Sequence, residues 1–456
     1  MRKFAKWALA LLFSVALLAF WSGCAQPVDP NNPNTGDKKN ELTYYGDIKS
    51  IVESKCNGCH TQKGIGPMDF TSYEQVLKFQ ESIHDSVTHK RMPPWKADDT
   101  CNDYKGNFDL TKDERSKLLK WIDLGAPKGK PDDYKPLAKK SQGLTRVDLT
   151  VKTPSYKPQL KPDDYRCFVM PWPKKETAFI SGFRVKPGNA KIVHHVIAFI
   201  ASPKNKDYFL KKDAKEKGDG YTCYGGSGGS SAWVGSWAPG SLGRDYPAGT
   251  GVKVQPGSML IVQVHYNTAV SSDEPDSTAV EFKLESKVDK EAIFLPYTNY
   301  LEWFRGKGMK IPAGQTNVTH SFAFDIASFA KNSTFTIHSA ALHMHTRGKS
   351  AQIFIKKQNK SSQKQCVLNI NKWDFNWQGA YSLQKPMELK PGDELGITCT
   401  WDNSAANQPV INGKKQKPVD LHWGEGTNDE MCLGILYVTC SNKDGKPISC
   451  GALGNR

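Results

Sequence analysis

The chain has 456 residues, a formal net charge of +16 and 38% hydrophobic residues, which on length alone suggests about three domains. The positive charge is spread as single lysines and short lysine pairs, a solvated surface with no basic helix, so nucleic acid is not expected as a partner. Acidic redox partners or an anionic membrane surface suit such a surplus, and eleven cysteines fit an oxidising compartment.

Arg2, Lys3 and Lys6 precede an almost wholly apolar run from Ala8 to Phe20, and the small residues Ser22 and Gly23 then precede Cys24. This is a secretory signal pattern, expected over residues 1–23. The cysteine after two small residues resembles a bacterial lipoprotein cleavage site and implies lipidation of Cys24. Trp21 departs from the usual aliphatic residue there, and a simple signal peptide is the alternative. Ala25 follows in place of Asp, so the resemblance implies an outer-membrane anchor and an exported protein of the periplasm or cell surface. No other apolar run is long enough to span a bilayer. Residues 24–41, rich in Pro, Asn, Asp and Lys, read as a flexible tether.

A small helical unit is expected over 42–128, with a Lys/Pro-rich linker over 129–147. Ile48, Ile51 and Val52 recur at helical spacing. Thr111-Lys112-Asp113-Glu114 reads as a helix start, followed by Leu118, Leu119 and Ile122 on one side and by the stops Gly125 and Pro127. Between these lies Cys56-Asn57-Gly58-Cys59-His60, a C-x-x-C-H run of the kind that attaches haem c. Cys56 and Cys59 are at the spacing for two thioethers to one porphyrin, and His60 for its axial ligand. The alternative, half of a zinc site, lacks a second C-x-x-C. Met92, stiffened by Pro93 and Pro94, is the expected sixth ligand. It is preferred to His84, His89 and Met68, the last only eight residues beyond His60. The whole stretch, with Gly66-Pro67-Met68 and Trp121 to Pro127, resembles a bacterial mono-haem cytochrome c module. That implies one covalently attached haem c.

From Leu144 the texture changes to short β-rich runs separated by Pro, Gly, Asn and Asp, among them Lys191 to Ala201, Met259 to Thr268, Thr334 to Thr346 and Met431 to Thr439. Two all-β sandwich domains are expected, over 148–290 and 291–456. Within them His194 and His195 interrupt an apolar run, where polar groups are costly unless paired or metal-bound. Adjacent strand residues face opposite ways, so one metal takes both only at a strand end or bulge, or by different ring nitrogens. Two satisfied core histidines are the alternative. Alternation puts His265 on one face with Ile261 and Gln263, where a lone histidine is usually structural. His343 and His345, two apart, share a face and converge. Met344 points the other way, as does His338 unless a bulge intervenes. Met431, after Asp429 and Glu430, is either core or a soft ligand. A His₂Met set suits Cu(I), while His₃ suits copper or zinc.

Taken in order, His194-His195, His265, His343-x-His345 and Asp429-Glu430-Met431-Cys432 resemble the type II copper, ascorbate-dependent monooxygenases. That family includes peptidylglycine α-hydroxylating and dopamine β-monooxygenases. The resemblance implies two jelly-roll sandwiches with one copper ion each, facing one another across a solvent cleft. His194, His195 and His265 would bind the electron-transfer copper, and His343, His345 and Met431 the catalytic one. It also implies a Cys399–Cys432 disulfide. A local Cys440–Cys450 bridge is a further expectation, with Cys101, Cys167, Cys223 and Cys366 left open. The implied chemistry inserts one atom of O2 into a C–H bond with two electrons, here expected from a periplasmic or small-molecule donor through the haem. The peptide enzyme has an Arg two residues before its H-x-H and Asn and Tyr after its Met; this chain has Ala341, Leu433 and Ile435. A small organic substrate less polar than peptidylglycine is expected. The alternatives are an electron-transfer lipoprotein without hydroxylase activity and a binding module with degenerate sites.

Overall fold

The computed structural model describes residues 42–62, 66–136, 143–161, 163–239, 241–268, 274–306, 308–330, 333–358, 363–375, 377–411 and 414–450. The expected signal segment, Cys24 and the tether lie outside them. Among the described residues no helix is long and apolar enough to cross a membrane.

The first part of the chain is helical, as its residue spacing predicts. A π-turn, Tyr44–Ile48, runs into α1 (Lys49–Lys55), followed by α2 (Tyr73–Lys78), α3 (Gln80–Thr88) and α4 (Lys112–Asp123). Helix α4 begins with a reciprocal cap, in which Glu114 N donates to Thr111 Oγ1 and Thr111 N to the Glu114 carboxylate. Gly125, at φ +83°, ends it in a conformation that only glycine adopts cheaply. Tyr44, Ile48, Val52, Leu118 and Trp121 share a small apolar core.

Residues 95–108 leave these helices and lie along the C-terminal part of the chain. Asp98 N donates to Asn369 O at 2.9 Å, Lys105 N to Ser382 O at 2.8 Å and Gln384 N to Asp103 O at 2.8 Å. The Tyr104 ring is buried and its hydroxyl donates to Val367 O at 3.2 Å. A disulfide joins Cys101 to Cys366. Of the cysteines left open, the others pair as Cys167–Cys223, and both expected bridges, Cys399–Cys432 and Cys440–Cys450, are present.

The rest is β-structure in two sandwiches. In the first, a five-stranded sheet is ordered Tyr221–Thr222, Asp163–Pro171, Met259–Asn267, Val193–Ala201, Ala232–Trp237. The Met259–Asn267 strand is buried on both faces, because Leu260, Val262 and Val264 feed the core between the sheets while Met259 and Ile261 feed a second cluster under Phe199 and Phe209. His265 lies on the Ile261 face, as the alternation predicts. The second sandwich sets the sheet Val318–Phe324, Glu394–Trp401, Gly348–Lys356, Lys364–Ile370 against the strands Lys290–Tyr297, Leu433–Ser441, Thr334–His343 and Ala380–Leu389. Phe335, Ile337, Ile353, Ile397 and Leu436 fill the space between.

The two sandwiches share a sheet. Thr250–Val254 of the first runs parallel to Lys290–Tyr297 of the second, with Lys290 opposite Thr250 and Glu291 opposite Gly251. One ten-stranded sheet therefore passes through both. Tyr437 of the second sandwich packs in the first one's core and bonds Thr250 Oγ1 at 2.9 Å.

Because Cys101–Cys366 ties the helical unit to the second sandwich, cutting the chain once within 129–147 is expected to leave the two fragments joined. Non-reducing electrophoresis of the nicked protein checks this, with a single band that separates into two on adding thiol.

Candidate metal centre

His194 and His195 can reach one point only if their strand is irregular, and it is. The register of Val193–Ala201 against Met259–Asn267 shifts between Val193 and His195, which leaves His194 as an extra residue. His195 then stands directly opposite His265. The ring nitrogens of the three lie within 4.8 Å of one another. His195 Nδ1 is 3.4 Å from Nδ1 of both His194 and His265. Nitrogens held about 2.0 Å from one ion stand about 3.3–3.5 Å apart, so the set fits a single metal.

The outer nitrogen of His265 is tied back. Its Nε2–H donates to Asp163 Oδ1 at 2.9 Å, and Asn267 Nδ2 donates to the same oxygen at 3.2 Å. The Tyr165 ring stacks on it with centroids 4.0 Å apart. A carboxylate–imidazole pair of this kind fixes the tautomer, turns the Nδ1 lone pair toward the metal and raises ligand basicity.

The second set lies where Thr334–His343 ends. His343 Nδ1 donates to Gln378 Oε1 at 2.5 Å, and Gln378 Nε2 donates to Phe375 O at 2.9 Å, which fixes the amide orientation. His345 Nδ1 donates to Asp429 O at 3.1 Å. Both protons are thereby placed on Nδ1, so the Nε2 atoms, 3.2 Å apart, present unprotonated lone pairs to each other. Such a pair is repulsive until a cation stands between them. Met431, 5% exposed, follows directly on the residues that hold His345. Glu430 is fully buried and accepts from His345 N at 2.9 Å, Arg347 N at 2.6 Å and Trp401 Nε1 at 2.8 Å. Burial pushes its carboxyl up to about 7 against those three donors. The Cys399–Cys432 bridge closes the same corner.

Burial, with His265 alongside, drives His194 down to about 3, and burial drives His343 down to about 4 despite Gln378. His195 and His345 are depressed well below their usual range by the same cause. All four are neutral at physiological pH, the form that binds metal. Met344 points into the core. At His338 a bulge does intervene, between Ile337 and Ser339, but its Nε2 is spent on Thr439 Oγ1 at 2.9 Å.

Among the described residues the two sets are not held apart by the expected solvent cleft. The rings of His195 and His343 are 6.4 Å apart, and Phe375 stacks on His194 at 4.9 Å while meeting His345 edge-on at 6.3 Å. The shared sheet draws the sandwiches together and Phe375 fills the gap. Strand register sets Ala341 opposite Ile435 and His343 opposite Leu433, one common face. Ile435 is taken up by packing against the first sandwich's core. A cavity of about 390 Å³ opens instead beside His345, lined by Thr346, Trp373, Asp374, Phe375, Gln408 and Pro409 among others. Trp373 Nε1 donates to His345 O at 3.0 Å.

In the helical unit, Cys59 N and His60 N both bond Cys56 O, at 3.1 and 3.0 Å, so the motif folds into one tight turn. Cys56 and Cys59 are free thiols, the first pushed up to about 12 by burial and by its neighbour. His60 Nδ1 donates to Met68 O at 3.1 Å, leaving Nε2 as a ligand atom, and its ring stacks on Phe70. This donor set fits a haem c. Met92 stands 41% exposed, whereas Met68 packs against the helical core. His84 pairs with Asp123 and His89 with Asp85.

Sequence reading named Glu430 only within the run Asp429 to Cys432 and gave it no role, and it missed Asp163, Gln378 and Phe375. These three are far from the histidines in sequence, and strand pairing or loop packing alone brings them there.

The chain matches the N-terminal domain of the copper type II ascorbate-dependent monooxygenases over residues 149–272 and their C-terminal domain over 301–443. It is 23% identical over 307 residues to DBH-like monooxygenase protein 2 of Mus musculus, covering 60% of this chain and 46% of that one. It is 25% identical over 306 residues to peptidyl-glycine alpha-amidating monooxygenase A of Xenopus laevis, covering 65% and 28%. It thus spans less than half the length of these relatives. A solved peptide-N(4)-(N-acetyl-β-D-glucosaminyl) asparagine amidase superposes at a TM-score of 0.27 and 9% identity, over 66% of this chain and 98% of that one.

Replacing Asp163 by Ala is expected to weaken metal binding at the His194/His195/His265 set by about 10–100-fold, leaving the His343/His345 set intact. Copper titration followed by electron paramagnetic resonance checks this.

The two domain matches together cover more than half of the chain, and the chain belongs to the copper type II ascorbate-dependent monooxygenase family.

Proposed function

We propose that the protein is an exported monooxygenase that hydroxylates a C–H bond of a small organic substrate. One atom of O2 enters the product and the other leaves as water, with two electrons and two protons consumed. The observation that carries this reading is the facing pair of unprotonated Nε2 atoms on His343 and His345, within one ring contact of a second three-histidine set. Copper held at these positions supplies O2 binding and one-electron chemistry, and a thioether favours its cuprous state.

The chain's own residues do the remaining work. Gln378 and the Asp429 carbonyl hold the two imidazoles in the required tautomer, while Asp163 does so for His265. Phe375 packs between the sets, stacked on His194 and edge-on to His345. The cavity beside His345 combines Trp373, Phe375 and Pro409 with Thr346, Asp374, Asn407 and Gln408, and these lining residues include no lysine or arginine. With Ala341 where the peptide enzyme has an Arg, this favours a neutral substrate over a carboxylate-bearing one. The electrons are supplied through a haem c on Cys56, Cys59 and His60 with Met92 as sixth ligand, from a periplasmic or small-molecule donor. The N-terminal sequence supports export and lipid anchoring at Cys24, at the outer membrane.

Purified protein is expected to hold two coppers and one haem per chain and to consume O2 only when substrate and reductant are both present. Met431→Ala is expected to lower that uptake by about two orders of magnitude while retaining copper at the His194 set. Fully loaded protein that takes up no O2 across a panel of neutral organic substrates overturns the reading. Product from a glycine-extended peptide overturns the substrate assignment.

A further inference from the structure

We propose that electrons leave the helical unit through Trp95, Phe108 and Trp377 and enter at the His343/His345/Met431 set by way of Gln378. The inference rests on the proposed haem supply and adds its route and port of entry. Four observations carry it.

The first is where the helical unit docks. The contacts of residues 95–108 described above run to residues 366–384 of the second sandwich. Lys96 adds an ion pair to Asp374 at 3.1 Å, and Cys101–Cys366 makes the docking covalent.

The second is a continuous chain of rings across that junction. Trp95 meets Phe108 at 5.1 Å and Tyr381 at 4.9 Å, and Phe108 meets Trp377 at 5.8 Å, all edge-to-face. Rings packed at such distances form a dense bridge for tunnelling, with no ring needing to be oxidised.

The third is what lies at each end. Trp95 is three residues beyond Met92, and its backbone N–H donates to Pro93 O at 2.9 Å, so the chain turns tightly between the expected haem ligand and the first ring. Trp377 is followed directly by Gln378, whose Oε1 accepts the His343 Nδ1 proton at 2.5 Å. The bridge therefore ends in a hydrogen bond to a metal-binding imidazole.

The fourth concerns the other set. His194, His195 and His265 lie on strands of the first sandwich and approach the route through the ring contacts of His195 with His343 and of His194 with Phe375. The route thus ends at the His343 set, and the three-histidine set lies one ring contact beyond it. Each event moves one electron. A ferrous haem becomes ferric, a cupric ion becomes cuprous, and no bond or proton changes hands. Two such events serve one turnover.

The test is intramolecular and needs no substrate. Anaerobic protein carrying oxidised haem and cupric copper is given a sub-stoichiometric flash of photoreduced flavin, and the haem α-band is followed as it decays. In the wild type the decay is expected to be independent of protein concentration. Trp377→Leu and Trp95→Leu are each expected to slow it at least ten-fold, with haem spectrum, copper content and melting temperature close to wild type. Trp377→Phe keeps a ring in place and is expected to slow it less. Leucine variants that retain copper and haem yet decay at the wild-type rate overturn the route. Wild-type haem that stays reduced in front of cupric copper overturns the haem supply itself, so the two failures are distinguishable.

Discussion

Everything at the centre of this protein follows from withdrawing imidazoles from water while denying them protons. A buried neutral histidine must still satisfy two ring nitrogens. At His265, His343 and His345 the outer nitrogen is given to Asp163, Gln378 and the Asp429 carbonyl, and the inner one is aimed at another ring nitrogen. That arrangement is unfavourable for the apoprotein and is relieved by a cation, so part of the binding energy of the metal is prepaid as strain and desolvation in the fold. The surrounding architecture keeps the sites from relaxing: a bulge at His194, a three-donor anchor at Glu430, and a disulfide at Cys432.

How much of this could be read in the residues depended on range. Local periodicity placed α4 with its Thr111 cap, the face of His265, and the opposed directions of His343 and Met344, because helix and strand geometry act over a few residues. The His194-His195 pair carried its own conditional, that a bulge or strand end must exist, and the strand satisfies it. What depended on long-range pairing could not be read. Asp163 meets His265 because two strands align, Gln378 meets His343 because a loop folds over the strand end, and Cys101 meets Cys366 across most of the chain. The expected open cleft failed for the same reason. It was inferred from a family resemblance, whereas the 6.4 Å approach of His195 to His343 comes from the parallel pairing of Thr250–Val254 with Lys290–Tyr297.

That pairing also changes what a domain means here. Each sandwich has its own core, yet the sheet between them is continuous and Tyr437 crosses from one core to the other. A hinge at the junction would have to break ladder hydrogen bonds and expose apolar surface, so the relative position of the two ligand sets is part of the fold. The loop carrying Trp373, Phe375 and Gln378 has contacts with the first sandwich, the second sandwich and the docked segment 95–108. It touches both ligand sets and the docked segment.

The extra residue at His194 has an evolutionary corollary. In a regular strand, one of two adjacent histidines would point away from His265. A single inserted residue at the strand's start leaves the downstream pairing of Val196 to Ala201 and its packed core untouched. Gaining or losing that one residue therefore changes the ligand geometry and not the strand pairing that carries it.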